Sequence, residues 1–193
     1  MRMHSPGVDV VRTYKTEGII LKRNNFGEAD RILTIFTRRF GKIRARAPGI
    51  RRTTSRKAPH LELFNLATLF LAQGKNIDIV TEAQTIDNFS GVRHDLKKVS
   101  LAYYLCELVD SLCPERQENK EVFNLLTKTL KDLEASHYDN IYYHSEDFAN
   151  QLLWNLGFLP REKKLVEKEL EQFIENLIEK KLKSRKLLRK IEG

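Results

Sequence analysis

Hydrophobic residues recur at every second position through much of the first 85 residues, and at three- and four-residue intervals from about Gly91 onward. A period of two puts successive side chains on opposite faces of a strand, whereas a period near 3.6 lines one face of a helix. The first pattern predicts five short strands, over residues 16–23, 31–38, 42–47, 61–71 and 77–84. Between them stand the residues that turns require: Asn24-Asn25-Phe26-Gly27, Phe40-Gly41, the long segment 48–59, and Gln73-Gly74-Lys75-Asn76. Ile19, Leu21, Leu33, Ile35, Ile43, Leu63, Leu69, Phe70, Leu71, Ile77 and Ile79 are the expected core of a small closed barrel, which is how five short strands avoid open edges. An OB-type barrel fits, with the usual helix between the third and fourth strands replaced by a basic loop.

In the second pattern, Leu101, Leu105, Leu108 and Leu112 line one face of a helix that Pro114 cannot continue. A second helix is expected over residues 120–134, with Val122, Leu125, Leu126, Leu130 and Leu133 apolar. Ser145 reads as the N-cap of a third, followed by Glu146 and Asp147 and stopped by Gly157 and Pro160. Val166, Leu170, Phe173, Leu177, Ile178 and Leu182 make an amphipathic fourth. The predicted class is α+β: a five-stranded OB barrel over residues 1–88, then a small all-α domain over 89–193.

Composition supports a folded protein, since 41% of the 193 residues are hydrophobic and 31% charged. Charge divides the chain where the periodicity does. Residues 1–85 carry a net +9, residues 86–160 a net −5 and residues 161–193 a net +4, giving +8 for the whole. A polyanion is the natural partner for the first segment. The opening residues lack the apolar core of a signal peptide, and no later run approaches the ~18 apolar residues of a spanning helix. The expectation is a cytoplasmic protein that makes no use of membranes. Cys106 and Cys113 lie seven apart on one predicted helix, roughly 10 Å at ~1.5 Å per residue, too far for a disulfide and best read as buried thiols.

The basic character concentrates between residues 31 and 61, where ten Lys or Arg stand with no Asp or Glu: Arg31, Arg38, Arg39, Lys42, Arg44, Arg46, Arg51, Arg52, Arg56 and Lys57. Lys42, Arg44 and Arg46 alternate with Ile43, Ala45 and Ala47, so strand geometry puts three cations on one face. Their mutual repulsion is relieved by an anion repeating along the strand, such as a phosphate backbone. The loop 49–57 mixes cations with hydroxyls and suits flexible phosphate clamping rather than base readout. Phe26 and Phe40, beside turns, are candidates for stacking unpaired bases, whereas mid-strand Phe36 reads as core. A merely solvated face is the bland alternative, but solubility alone intersperses both signs.

Evidence for catalysis is thin: the chain has no phosphate-cradling Gly-rich loop, no His-Glu-x-x-His and no paired-cysteine zinc motif. The five histidines are dispersed, and Glu17, Glu28 and Asp30 are better salt partners for the nearby cations than metal ligands. No cofactor and no metal are expected. The basic run 180–190, with Leu187, Leu188 and Ile191 among its cations, suits either the dipole of a helix C-terminus or a short acidic peptide with apolar anchors.

Thr16-Glu17-Gly18-Ile19-Ile20-Leu21 and Gly27-Glu28-Ala29-Asp30-Arg31-Ile32-Leu33-Thr34 resemble the N-terminal domain of the RecO family of bacterial recombination mediators. The resemblance continues through Phe40-Gly41-Lys42-Ile43-Arg44-Ala45 and Gly49, Ala102-Tyr103-Tyr104-Leu105 with Glu107-Leu108, Leu156-Gly157-Phe158 with Pro160, and Leu182-Lys183-Ser184-Arg185-Lys186-Leu187-Leu188. It implies a non-enzymatic, nucleoid-associated protein that binds single- and double-stranded DNA and anneals complementary strands. It also implies work with RecR to load recombinase onto strands coated by single-strand-binding protein, whose acidic C-terminal tail is a partner. On this chain the ten cations take the DNA role, and Lys183, Arg185 and Lys186 the tail role. Many family members carry a longer segment after the Gly-Phe-x-Pro block, often with a four-cysteine zinc site. Here Pro160 leads almost directly into the last predicted helix, so the resemblance implies a short form without zinc. A ribosome-associated or RNA-binding OB protein is the alternative, for which the same basic strand would serve.

Overall fold

β1 (Thr13–Phe26) is long enough to serve two neighbours, and that is how the sheet closes. Its first half pairs with β4 (Leu66–Ala72) and its second with β2 (Asp30–Thr37), Gly18 and Ile19 pairing with both, and the register to β2 shifts between Ile20 and Lys22. β3 (Gly41–Ala47) follows β2 antiparallel, and β5 (Asp78–Asp87) completes a closed barrel in the order β1-β2-β3-β5-β4, as expected of an OB topology. The β3–β5 seam is parallel and only two residue pairs long, Ala45 with Asp78 and Arg46 with Ile79. The computed structural model describes residues 12–135 and 141–184.

Ile20, Leu33, Ile35, Ile43, Leu69, Leu71 and Val80 fill the barrel, and Ile50 and Leu61 from the loop after β3 plug one end. Three sequence expectations change here. Residues 61–65 are not strand: a short 3-10 turn (Ala58–Leu61) and a left-handed Phe64 (φ 71) precede β4. Phe70 and Ile79 face solvent, each 37% exposed, because the inward phase belongs to Leu69 and Leu71 in β4 and to Asp78 and Val80 in β5. Ile19, Leu21 and Leu63 do pack on apolar neighbours, but outside the barrel, in the helical core. Asp78 is fully buried, accepting a hydrogen bond from the Tyr14 hydroxyl (2.5 Å), one from the Gly74 amide (3.3 Å), and pairing with Arg116 (3.0 Å). That partner set satisfies a carboxylate an apolar interior would otherwise reject. It also holds the Tyr14 phenol un-ionised, its pKa raised by burial first and by Asp78 second.

The helices are α1 (Ser90–Arg93), α2 (Leu96–Leu112), α3 (Lys120–Ala135), α4 (Ile141–Leu156) and α5 (Glu167–Ile178). Asp95 caps α2, accepting from the amides of Lys97 (2.8 Å) and Lys98 (3.3 Å). Ser145 is no N-cap: α4 starts at Ile141 and buries Ser145 within it. The Gly157 stop stands, with φ +77 there and the Phe158 amide returning to the Leu153 carbonyl (3.0 Å). Cys106 and Cys113 are free and buried; burial raises both thiols, Cys113 to about 12, so neither is a ready nucleophile.

One apolar core joins the helices to the barrel's outer surface. Ile19, Leu21, Phe36 and Leu66 project outward from β1, β2 and β4 into the cluster built by Leu101, Leu105, Leu108 and Val109 of α2 and by residues of α3, α4 and α5. The helices therefore cover the part of the barrel around Ile19 and Phe36. At its margin, Lys42 donates to the Asp110 carbonyl and pairs with its carboxylate (3.5 Å), while the Arg116 amide donates to the Lys42 carbonyl (2.8 Å). No helix among the described residues is long and apolar enough to cross a membrane.

Candidate nucleic-acid interface

β3 positions the cations, and register sorts them into rows across the sheet. Lys42 lies opposite Phe36, Arg44 opposite Thr34, and Arg46 opposite Ile32. On β3 the helices reach the first row and no farther, so Lys42 is 9% exposed whereas Arg44 and Arg46 are open. Three cations on one exposed face are thus reduced to two: Lys42 is taken from the surface by Asp110 and fastens the helices to the barrel. β1 extends the Arg44 row to Lys22, which pairs with Thr34 and is exposed. Lys22 lies outside the dense basic interval, so only cross-strand register reveals it.

The remaining cations differ in what already holds them. Arg46 is paired with Asp30 (2.6 Å) and lies over the Phe26 ring, 5.5 Å from its centre. Arg38 pairs with Glu17 (3.0 Å), and Arg31 lies 3.8 Å from Glu62. Arg51 donates to the Gly27 carbonyl (3.2 Å), and Lys57 to that of Val80 (3.0 Å), where burial lowers the lysine's pKa. Lys57 is thus partly committed to closing the barrel end. Arg39, Arg44, Arg52 and Arg56 are exposed. Of the three acids expected to be salt partners, Glu17 and Asp30 are, whereas Glu28 is exposed and pairs with no cation among the described residues.

The basic loop is more ordered than its composition suggests. Asp30 accepts from the Gly49 amide (2.7 Å), Arg51 donates its amide to Ala29 (2.8 Å), and Arg52 and Ser55 close successive turns. The Gly49 amide first, and Arg46 second, hold the Asp30 carboxyl below the usual carboxylate range. The expectation of a flexible clamp is therefore replaced by a series of turns stitched to the β1–β2 connection, projecting Arg52 and Arg56 from a fixed base. Phe26 (48% exposed) stands at that same end. Phe40 (36% exposed) stands at the other end of β2, in edge contact with Tyr14 (4.6 Å between centres). About 3.3 Å per residue separates the two aromatics by roughly 20 Å, so they cannot address the same base.

A second concave feature lies between β1, α2 and the segment after α5, a cavity of about 640 Å³. Lys22, Lys180, Lys181 and Lys183 bring positive charge to its wall, and Leu21, Leu63 and Tyr103 supply apolar surface. Glu107 fixes one side, its two carboxylate oxygens accepting from the amides of Lys183 (2.9 Å) and Ser184 (2.8 Å). Arg185 and Lys186 lie outside the described residues. Among the described residues no group of three or more His, Cys, Asp or Glu is placed to hold a metal ion.

This barrel and these helices match two family models in succession, described as "Recombination protein O N terminal" over residues 11–89 and "Recombination protein O C terminal" over residues 93–167. The chain is 42% identical over 150 residues to a protein of Roseiflexus sp. (strain RS-1) named DNA repair protein RecO, covering 78% of this chain and 52% of that one. A protein of the same name from Dehalococcoides mccartyi (strain ATCC BAA-2266 / KCTC 15142 / 195) is 42% identical over 121 residues, 63% of this chain and 48% of its own. Another, from Pelotomaculum thermopropionicum, is 34% identical over 150 residues, 78% of this chain and 57% of its own. The chain thus spans about half the length of the relatives it matches. With the barrel and most of the helices matched in turn, the chain belongs to the RecO family of DNA repair proteins.

Proposed function

We propose that this chain acts as a non-enzymatic mediator in recombinational DNA repair. It binds single- and double-stranded DNA through phosphate contacts, promotes annealing of complementary strands, and works with RecR to help load recombinase onto strands coated by single-strand-binding protein. The observation that carries this reading is the pair Arg44 and Arg46, which the fold leaves open on β3 beside the stitched loop bearing Arg52 and Arg56. Arg39 and Lys22 extend the cationic surface to either side, and Arg38, Arg31 and Arg51 reinforce it once their present partners are exchanged for phosphate. Such contacts position a strand without reading its sequence, as annealing of arbitrary complements requires. The protein works in the bacterial cytoplasm, at the nucleoid.

The acidic tail of single-strand-binding protein fits the cavity lined by Lys22, Lys180, Lys181 and Lys183. Cations there meet carboxylates, and Leu21, Leu63 and Tyr103 offer an apolar seat for an aromatic side chain. Of the three residues expected to take this tail, Lys183 is in the cavity wall.

Complementary oligonucleotides coated with single-strand-binding protein provide the test. The chain should accelerate their annealing, and Arg44→Ala with Arg46→Ala should abolish the acceleration. An unaccelerated reaction would sink the mediator reading. Tighter binding to RNA than to DNA of equal length would favour the RNA-binding alternative instead.

A further inference from the structure

Phe70 and Ile79 are large apolar side chains exposed on the barrel's outer wall, away from the surface the helices cover. Cations flank them, opposed by exposed Glu82 in register with Phe70. Lys15 pairs in register with Phe70 and lies over its ring, 5.2 Å from the centre. Ile79 is the register partner of Arg46 across the β3–β5 seam and of Ala72 on β4. The β4–β5 hairpin above them carries exposed Lys75 and meets exposed Arg12, whose carbonyl accepts from the Gln73 amide (2.7 Å). Arg46, in turn, stacks on Phe26 at its other side. A strip therefore runs round the barrel as Phe26, Arg46, Ile79 and Phe70, ending under Lys15.

Adjacent strands lie about 4.8 Å apart and diagonal neighbours about 7–8 Å, so the strip spans roughly 18 Å. That suits a few nucleotides of the about four to sixteen that an OB fold accommodates. We propose that single-stranded nucleic acid leaves the arginines of β3 and crosses this strip, phosphates near Arg46 and Lys15 and an unpaired base stacked on Phe70 where the Lys15 ammonium now lies, with Ile79 beside it. Glu82, in register with Phe70, turns phosphates away from the strip and leaves it to bases. A duplex keeps its bases in the helical stack and gains nothing from Phe70, so the strip distinguishes single strands from duplex. The inference rests on the DNA-binding reading above and adds to it the surface on which bases lie.

Binding of labelled oligothymidylate and of a blunt hairpin duplex, measured by anisotropy across a salt series, tests it. Phe70→Ala should weaken single-strand binding about tenfold and leave duplex binding and the salt slope unchanged. Phe70→Trp should keep wild-type affinity, and its added indole emission, read against the wild-type Trp154 signal, should be quenched by the oligonucleotide. If Phe70→Ala binds single strands as well as the wild type while Arg44→Ala weakens them, the strip is unoccupied and the phosphate grip alone stands. If the wild type binds neither probe, the strip and the DNA-binding reading fall together.

Discussion

Lys42 and Arg44 stand two positions apart on β3, and their surroundings give them opposite duties. Lys42 is sealed by Asp110 at the edge of the helices, whereas Arg44 faces solvent. Arg44→Ala should lower affinity for all DNA sequences alike and reduce the slope of log affinity against log salt by about 0.7–0.9, the loss of one phosphate contact. Lys42→Ala should leave that slope alone and cost about 1–3 kcal/mol of stability, because it strips a partly buried carboxylate of its partner. On the proposed DNA-binding reading, Asp30 competes with phosphate for Arg46. Asp30→Asn keeps an oxygen for the Gly49 amide but removes the charge, so DNA affinity should rise severalfold at low salt; an unchanged or lower affinity would contradict a role for Arg46 at the phosphates. The Asp30 pKa is depressed in the fold, so its contribution to stability is full above the ordinary carboxylate range near pH 4 and is lost as pH falls below it. The Asn variant should flatten that acid limb of a pH–stability curve. Sequence density found Arg44 and Arg46 but counted Lys42 with them and passed over Lys22, because neither covering by a distant helix nor alignment across strands is written in local composition. Ile79 was misplaced for a related reason: in β5 the inward phase is held by Asp78, whose burial depends on Tyr14, Gly74 and Arg116 from elsewhere in the chain. Phe70 was misplaced because it stands in the continuous apolar run Leu69-Phe70-Leu71, of which β4 turns only the two leucines inward.

Among the elements, the β2–β3 turn bears the tightest join. Gly41 has φ +61, and a Cβ there would stand 1.9 Å from the Gln117 carbonyl oxygen. Gly41→Ala would meet both a strained backbone and a rigid neighbour, forcing the segment between α2 and α3 off the strand. A loss of at least ~1–3 kcal/mol is expected from chemical denaturation, whereas Gly27→Ala, with open space around its Cβ, should suffer only the backbone cost of its own positive φ. Strands and helices with clear periodicity were legible, together with the Gly157 stop. The start of β4 was not, because Leu61 and Leu63 are apolar for different purposes, one plugging the barrel and the other packing toward the helices. Ser145 looked like a cap because serine followed by two acids suits a helix start, yet the helix had already begun four residues earlier.

For the whole molecule, the shared core argues for one cooperative unit. Outward-facing Ile19 and Phe36 are fully buried only while the helices are in place. Thermal unfolding followed by Trp154 emission, which reports on α4, should therefore coincide with unfolding followed by far-ultraviolet dichroism; two separated transitions would show the barrel and helices to be independent. At this scale the exposed arginines also set an electrostatic expectation. If about five phosphates are neutralised, log affinity for single strands should fall with log salt at a slope of roughly −3 to −4, and a slope near zero would contradict backbone binding. The OB class and the basic barrel were both legible in the sequence, whereas the place where the helices dock was not, since it depends on outward-facing strand residues that look like any barrel interior.

That docking surface bears on any attempt to dissect the protein. A fragment cut after residue 88 would keep all five strands, yet it would carry Ile19, Leu21, Phe36 and Leu66 as a bare greasy patch where α2 had been. Such a fragment should self-associate, and retarded migration of its DNA in a gel would then report clumping as readily as grip. The arginines of β3 are better judged one at a time in the intact chain.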